Sequence, residues 1–243
     1  MTNARELANL VGGTLTNLTS GTDNVALGDE ALEAVTSGAN NVGVGKDAGT
    51  AITPGDRNPA VGKDALKTAT TASYNTAIGY QALELNTGNN NTAVGDQALE
   101  ANTSGANNSA LGDDALVANT TGANNVAMGA SALGANTTAS YNVAVGRLSM
   151  QANTTGASNT AMGDVSLYAN TTGSFNVGIG ENALQGNTSG NYNTGIGRQA
   201  LTLNTTASNN TAVGYQAGYT NSTGSQITAL GYHALYANTT GAS

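Results

Sequence analysis

The sequence contains no cysteine and only one histidine, His233. Disulfides and thiolate metal sites are therefore excluded, and a single imidazole cannot build a histidine cluster around a metal. Tryptophan is also absent, phenylalanine occurs once, and only 9% of the residues are charged, against about a quarter in a typical domain. We therefore expect a neutral surface of Asn, Thr, Ser, Gly and Ala, and we predict no cofactor and no metal.

Positive charge is scarce as well. Seven Lys and Arg residues stand against fifteen Asp and Glu residues, the net charge is −8, and no two basic residues are adjacent. Nucleic acid is not an expected partner, because phosphate binding needs clustered basic side chains. The sequence has no apolar run long enough for membrane insertion and no secretory signal at its start. An external protein would then need another exit route, such as cell lysis, or the chain is a fragment.

A tandem repeat is the main feature that the sequence does contain. Each unit follows the consensus N-T-A-V-G-x-x-A-L-x-A-N-T-T-G-A-N, whose positions are numbered 1 to 17 from Asn24. The glycine at position 5 recurs thirteen times, 17 residues apart with one step of 16, at Gly28, Gly45, Gly62, Gly79, Gly95, Gly112, Gly129, Gly146, Gly163, Gly180, Gly197, Gly214 and Gly231. This spacing predicts a repeat domain over residues 24–243. Residues 1–23 are then an N-terminal cap or assembly segment, in which residues 4–11 can form a short helix.

Three positions of the repeat are nearly constant. Position 9 is Leu in ten repeats. Position 4 is never polar, and its residues are Leu27, Val44, Val61, Ile78, Val94, Leu111, Met128, Val145, Met162, Ile179, Ile196, Val213 and Leu230. Position 1 is Asn in every repeat but the last, at Asn24, Asn41, Asn58, Asn75, Asn91, Asn108, Asn125, Asn142, Asn159, Asn176, Asn193 and Asn210.

A unit of 17 residues cannot fold alone. Burying one Val and one Leu contributes roughly 3–6 kcal/mol, whereas ordering 17 backbones costs on the order of 17–34 kcal/mol. Stacking against neighbouring units is therefore required, and the unit is too short for a strand plus a crossover helix. The sequence predicts an all-β, parallel β-solenoid of thirteen 17-residue coils, about 60 Å long. A helical turn in residues 96–101 is a minor alternative.

Within this solenoid we expect three columns of stacked side chains. The position-4 aliphatics form one interior column and the position-9 leucines form another. The position-1 asparagines form a ladder in which amides hydrogen-bond along the axis. The small, Ala-rich inner positions fit three chains that share a centre better than one wide coil.

The motif N-T-A-V-G-x-x-A-L-x-A resembles the head repeats of YadA-like trimeric autotransporter adhesins, whose units follow N-S-x-A-I-G-x-x-S-x-A. It is also similar to repeat blocks of phage tail-fibre proteins. In one unit the match lies on Asn91, Ala93, Val94, Gly95, Ala98 and Ala101. The resemblance implies a trimeric, left-handed β-roll with aliphatics facing the core, in a surface-exposed fibre that binds a host or a matrix.

Two features depart from that family. Its unit is a few residues shorter, so residues 102–104 behave as an insertion that alters the cross-section of the coil. No heptad stalk and no membrane-anchor barrel is visible in the sequence. These departures favour a virion fibre or an assembled filament over a secreted autotransporter.

A glycosylation pattern recurs at position 12. Nine asparagines at this position are the first residue of an N-x-[ST] motif on a predicted turn, which is the acceptor pattern for N-glycosylation. The alternative interpretation is that the motif is an ordinary polar turn. The candidate sites are Asn102, Asn119, Asn136, Asn153, Asn170, Asn187, Asn204, Asn221 and Asn238.

Three other patterns suggest binding. Stacked threonines at positions 13 and 14 suggest an ice-binding face, although adjacent residues point in different directions. Exposed rings can stack on sugars or can simply cover the coil edges; four of them stand at position 17, namely Tyr74, Tyr141, Phe175 and Tyr192, and the others include Tyr80, Tyr168, Tyr215, Tyr219, Tyr232 and Tyr236. The acidic pairs Asp113 with Asp114 and Asp29 with Glu30 could hold calcium weakly, but the repeat lacks the G-G-x-G-x-D signature of calcium-binding rolls.

The sequence offers no catalytic constellation, because it has no nucleophile–base pair and no sign of a pocket, so we do not expect an enzyme. It predicts a structural fibre or filament protein, extracellular or exposed on a virion, that supports surface adhesion. The alternatives are a glycan-binding tail-fibre or adhesin head module and, less favoured, an ice-binding solenoid.

The expected partner is another copy of the chain, in a trimer or a head-to-tail filament. The last repeat ends at Ser243 without a polar cap, and uncapped coils can stack on another subunit. A cell-surface glycan or matrix is a further possible partner.

Overall fold

The structure is a computed structural model that describes residues 21–241. It contains thirteen strands of three residues each, all in one parallel sheet in which sequence order is also spatial order. The strands are β1 Val25–Leu27, β2 Val42–Val44, β3 Pro59–Val61, β4 Thr76–Ile78, β5 Thr92–Val94, β6 Ser109–Leu111, β7 Val126–Met128, β8 Val143–Val145, β9 Thr160–Met162, β10 Val177–Ile179, β11 Thr194–Ile196, β12 Thr211–Val213 and β13 Thr228–Leu230. The predicted parallel β-solenoid is confirmed. The helix predicted for residues 4–11 lies outside the described residues.

The register of the sheet follows the repeat. Val94 pairs with Leu111 and Ala93 with Ala110, so equivalent positions of successive units lie side by side. The single 16-residue step between β4 and β5 keeps this pairing, because Ile78 still meets Val94. Each unit is therefore one coil of the solenoid.

The glycine at position 5 ends every strand. Gly95 has φ +143°, a backbone conformation that L side chains rarely adopt. A Cβ at Gly95 would also lie 2.6 Å from the carbonyl carbon of Gly112 in the next coil. Both the turn and the close stacking of the coils therefore require glycine.

The segment after this glycine is a sequence of turns. In residues 96–101 the backbone alternates, with Gln97 at φ 51° and Leu99 at φ 55° in the left-handed region. These turns bond to neighbouring coils, as when Gln97 N donates to Tyr80 O at 2.9 Å and Leu99 N donates to Ala115 O at 3.0 Å. The alternative of a helical turn in this segment is therefore wrong, and no helix occurs in residues 21–241.

The interior is built from positions 3, 8 and 9. Ala93, Ala98 and Leu99 are fully buried, and their equivalents in most other coils are too. Where position 9 is Gly49 instead of Leu, neighbouring side chains fill the space. A Cβ added to Gly49 would lie 2.8 Å from Leu32 and 3.0 Å from the buried Ile52. Each chain thus encloses a packed core of its own residues.

The position-4 aliphatics point outwards, so the prediction of an interior column at position 4 needs correction. Their side chains are exposed at Leu27, Ile78, Leu111, Met128, Met162, Ile196, Val213 and Leu230, and half-buried at Val44, Val61, Val94, Val145 and Ile179. The reason is the strand period of two, which places only the central residue of a three-residue strand on the inner face. Ala or Gly occupies that central position, and the leucine of position 9 fills the space beside it.

Candidate functional surfaces

The position-1 asparagines stack in one buried column, as the sequence suggested. Asn108 N donates to Asn91 Oδ1 at 2.9 Å, and Asn108 Nδ2 donates to Gly122 O at 2.8 Å. The main link therefore joins a backbone N–H to a side-chain amide, while direct amide pairs such as Asn58 Nδ2 to Asn41 Oδ1, at 3.1 Å, are fewer. Asn91 and Asn108 are fully buried, so their hydrogen bonds hold neighbouring coils together inside the fold.

A second amide ladder lies at position 12. Asn119 Nδ2 donates to Asn102 Oδ1 at 2.7 Å and to Gly122 O at 3.0 Å, and the same links recur in later coils. This ladder is the amide-to-amide network that was expected at position 1. The signal for it in the sequence was the constancy of Asn at position 12 from Asn86 onwards.

The position-12 ladder changes the interpretation of the glycosylation pattern. Eight candidates are fully buried, and only the ninth, in the last coil, is partly accessible; the eight are Asn102, Asn119, Asn136, Asn153, Asn170, Asn187, Asn204 and Asn221, and the ninth is Asn238. A transferase needs the amide nitrogen, which in these residues donates hydrogen bonds inside the fold. The folded chain does not present these eight asparagines on an accessible edge.

The threonines of position 13 also link the coils. Thr103 Oγ1 donates to Thr120 O at 2.9 Å, and Thr171 Oγ1 donates to Thr188 O at 3.0 Å. The position-14 hydroxyls, such as that of Thr172, are exposed instead. Adjacent threonines therefore face different surroundings, and the hydroxyl hydrogens at position 13 are already donated to carbonyls of the next coil.

Opposite charges are paired along the position-6 column. Lys46 Nζ lies 2.9 Å from Asp29 Oδ2 in the preceding coil. Two further pairs join neighbouring coils, Arg147 with Asp164 at 3.1 Å and Arg198 with Glu181 at 3.0 Å. All six side chains are about half exposed, so each pair contributes little energy, about 0–1 kcal/mol, but favours the correct register.

Carboxylates of like charge lie close together at positions 6, 7 and 10 of the middle coils. Burial raises the pKa of Asp114 above its ordinary value, and the nearby Asp113 and Asp96 raise it further. Burial and Glu84 likewise raise the pKa of Glu100. No group of three or more potential ligands that could hold a metal occurs in the described part of the chain. The other acidic pair suggested for calcium is Asp29 with Glu30, and the Asp29 carboxylate accepts a hydrogen bond from Lys46.

The outer face of the parallel sheet carries a long apolar column at position 4 of the repeat. The outer sheet face consists of the side chains at repeat positions 2 and 4 of all thirteen coils, and position 2 is Thr or Ser in seven of them. Leu111 is 46% exposed and Met128 is 42% exposed. From strand spacing, this outer sheet face measures about 60 Å by about 10 Å, or about 600 Å². The largest exposed apolar patch of a typical monomer is about 300–600 Å², and the apolar position-4 column, about half of this face, reaches the lower end of that range.

The aromatic residues of position 17 lie on another edge. Tyr141, Phe175 and Tyr192 are each more than half exposed, and the rings of Phe175 and Tyr192 stack with centroids 5.0 Å apart. Tyr74 is 54% exposed, but Arg57 of the preceding coil contacts it: the guanidinium lies 5.3 Å from the ring centroid and donates to the phenol oxygen at 2.9 Å.

A second aromatic group occupies the last two coils, at positions 6, 7 and 10. Tyr215 stacks on Tyr232 with ring centroids 5.5 Å apart, and Tyr219 stacks on Tyr236 at 5.2 Å. His233 lies between these stacks, 4.0 Å from Tyr232 and 4.9 Å from Tyr236. These rings pack mainly against one another, which supports the interpretation that they cover a coil edge.

The sequence matches no protein-family model and no curated protein. Residues 21–241 include no helix of the length and apolarity needed to cross a bilayer.

Proposed function

We propose that this chain is a structural segment of a fibre or filament, exposed outside a cell or on a virion, where it supports adhesion to a surface. The observation that carries the proposal is the outer sheet face, on which the apolar position-4 column runs along all thirteen rungs and is exposed in eight of them. Continuous ladders of backbone, Asn and Thr hydrogen bonds support the rod-like character that a fibre requires. The resemblance to adhesin head repeats points the same way.

The partner that best fits the outer sheet face is another copy of this chain. Each copy carries the same column of Val, Leu, Ile and Met, so parallel copies in register place apolar side chains against apolar side chains at every rung. About 600 Å² per face is close to the area that each partner contributes to a standard stable interface, about 800 Å². Three copies with these faces turned to a common axis would give the trimer that the resemblance implies, and end-to-end stacking of coils would lengthen it.

Analytical ultracentrifugation tests this assembly. We expect particles with three times the mass of the 23.9-kDa chain. Replacing Leu111→Asp or Met128→Asp should dissociate them, because a carboxylate would be buried between apolar faces. Both side chains are exposed in the single chain, so circular dichroism should stay unchanged. Ser104→Asp, on an exposed corner of the coil, is the matched control and should leave the mass as it is.

A wild-type chain that stays monomeric at high concentration would refute the assembly, as would Leu111→Asp particles of unchanged mass. Electron microscopy of the wild type should show rods at least about 60 Å long. Compact round particles would contradict the fibre.

The ice-binding alternative receives less support than the fibre. Its main candidate, the position-13 threonine column, donates its hydroxyls to carbonyls of the next coil. Absence of thermal hysteresis would remove it. The fibre proposal assigns no catalytic residue.

A further inference from the structure

Three aromatic rings stand out from one edge of the solenoid. Tyr141, Phe175 and Tyr192 occupy position 17 of coils 7, 9 and 10 and are 65%, 52% and 58% exposed. We call these three residues the aromatic rim. Burying an aromatic side chain is favourable, so three large rings left in water at position 17 indicate a surface that another molecule covers.

The aromatic rim lies in an uncharged band. From Ala69 to Ser243, positions 12 to 17 of every coil contain no Asp, Glu, Lys or Arg. The exposed groups beside the rings are instead hydroxyls, such as those of Thr155 and Thr172 at position 14. A charged ligand would find no counter-charge there, whereas a neutral ligand rich in hydroxyls would find donors and acceptors.

The spacing of the rings is set by the coils. Phe175 and Tyr192 stack with 2° between their planes and 5.0 Å between their centroids, so the two rings are parallel and about one coil spacing apart. Coil 8 carries the small residue Ser158 at position 17. The levels of Tyr141 and Phe175 are therefore about 10 Å apart, with a small side chain between them. This gap is wide enough to admit a pyranose ring with its flat side towards an aromatic face.

We propose that Tyr141, Ser158, Phe175 and Tyr192 form a binding site for a neutral carbohydrate. The C–H groups on one side of a pyranose carry partial positive charge and pack against the electron-rich face of an aromatic ring. The sugar hydroxyls exchange hydrogen bonds with the exposed threonines of position 14. The proposal builds on the adhesive role proposed above, for which it names the ligand class, but it needs only a single chain.

Asparagine substitutions test the site without unfolding the coil. Position 17 requires a positive φ, 63° at Tyr141 and 59° at Phe175, and Asn107 and Asn124 already occupy it at 58°. Tyr141→Asn and Phe175→Asn therefore remove a ring and keep a residue that suits the backbone. Tyr74→Asn is the matched control, because Tyr74 holds the same position but is engaged by Arg57 in a charged part of the edge.

The experiment is a titration of the full chain with cellohexaose and with chitohexaose, followed by saturation-transfer NMR. We expect at least one of these neutral oligosaccharides to bind the wild type. Tyr141→Asn and Phe175→Asn should each weaken that binding at least tenfold, and Tyr74→Asn should leave it unchanged. Oligogalacturonate, which is charged, should bind more weakly than the neutral probes.

Three results would overturn the carbohydrate site: no binding of either neutral probe at millimolar concentration, equal loss of binding in Tyr74→Asn, or tighter binding of oligogalacturonate. The state of assembly is measured separately by ultracentrifugation. A monomer that binds cellohexaose would refute the trimer and keep the site, and a trimer that binds no sugar would do the reverse.

Discussion

Left-handed backbone conformations at ordinary side chains are the main residue-scale feature of this molecule. Position 7, position 9 and position 17 have φ near +50° to +63° wherever the structure describes them, and most of these residues are not glycine. The conformation costs an L residue roughly 1–2 kcal/mol. At position 9 this cost is offset, because a fully buried Leu99 contributes about 1.5–3 kcal/mol. At position 7 most side chains are more exposed, so burial offsets less of the cost there.

Val165 shows this strain most clearly. It is a β-branched residue at φ 58°, whereas the next coil has Asn182 at the same position and the same φ. We expect Val165→Asn to raise the free energy of unfolding by about 1 kcal/mol, because asparagine tolerates the left-handed region. Urea unfolding measures the change. Val177→Asn, in strand β10, is the control and should give no gain; an equal or lower stability of Val165→Asn would contradict the interpretation.

The electrostatics of Asp114 can be tested by pH. Burial and the charges of Asp113 and Asp96 raise its pKa, so the folded chain holds this proton more tightly than the unfolded chain. The stability contributed by that proton is present at low pH and is lost as the pH rises through the raised pKa. We therefore expect Asp114→Asn to be more stable than the wild type at pH 7, with the difference vanishing below the ordinary pKa of an aspartate.

Urea unfolding of both proteins across the acid range measures that difference. Asp164→Asn is the comparison, because Asp164 is paired with Arg147 and its replacement should give no gain at pH 7. A difference between Asp114→Asn and the wild type that is independent of pH would mean that the raised pKa is not its cause.

At the scale of the element, each strand has three residues and is followed by a glycine. A three-residue strand is below the usual length, and it is stable here because both of its edges are paired in all but the first and last coils. The glycine that follows serves two purposes, a positive φ and a close approach to the next coil. Two of the position-5 glycines allow the effect of the positive φ to be measured apart from the effect of the close approach.

Gly214 and Gly231 form this natural pair. Both have positive φ, 133° and 116°, but a Cβ at Gly214 would lie 2.5 Å from Gly231 O, whereas a Cβ at Gly231 would meet nothing within 4 Å. We expect Gly214→Ala to lower the melting temperature more than Gly231→Ala does, by an amount that corresponds to about 1–3 kcal/mol of overpacking. Equal effects in thermal denaturation would show that φ alone requires the glycines.

At the scale of the whole molecule, stability belongs to the stack. Nearly every hydrogen bond outside the local turns joins one coil to the next, so each coil depends on its neighbours. Removing a whole coil should preserve the fold, because equivalent positions then meet again one coil further along.

Deletion of residues 108–124, one complete coil, should therefore give a folded, shorter solenoid with an unchanged circular dichroism spectrum per residue. Deletion of residues 108–115 should destroy the register, because every later side chain would lie against a non-equivalent position. The comparison is made by circular dichroism and thermal unfolding. If the shorter deletion were as stable as the complete-coil deletion, the stacking account would fail.

The sequence by itself determined the repeat, the parallel pairing of equivalent residues and the buried amide column at position 1, because a spacing of 17 residues allows each position to meet only its own equivalents. Only the tertiary structure decided which columns lie inside. The position-4 aliphatics looked like core but face outwards, and the position-12 asparagines looked like exposed turns but are buried. Turns in the left-handed region set the direction of each side chain, and hydrophobicity alone does not predict that direction: a hydrogen-bonded amide can be buried, and an apolar column can lie on the outer face.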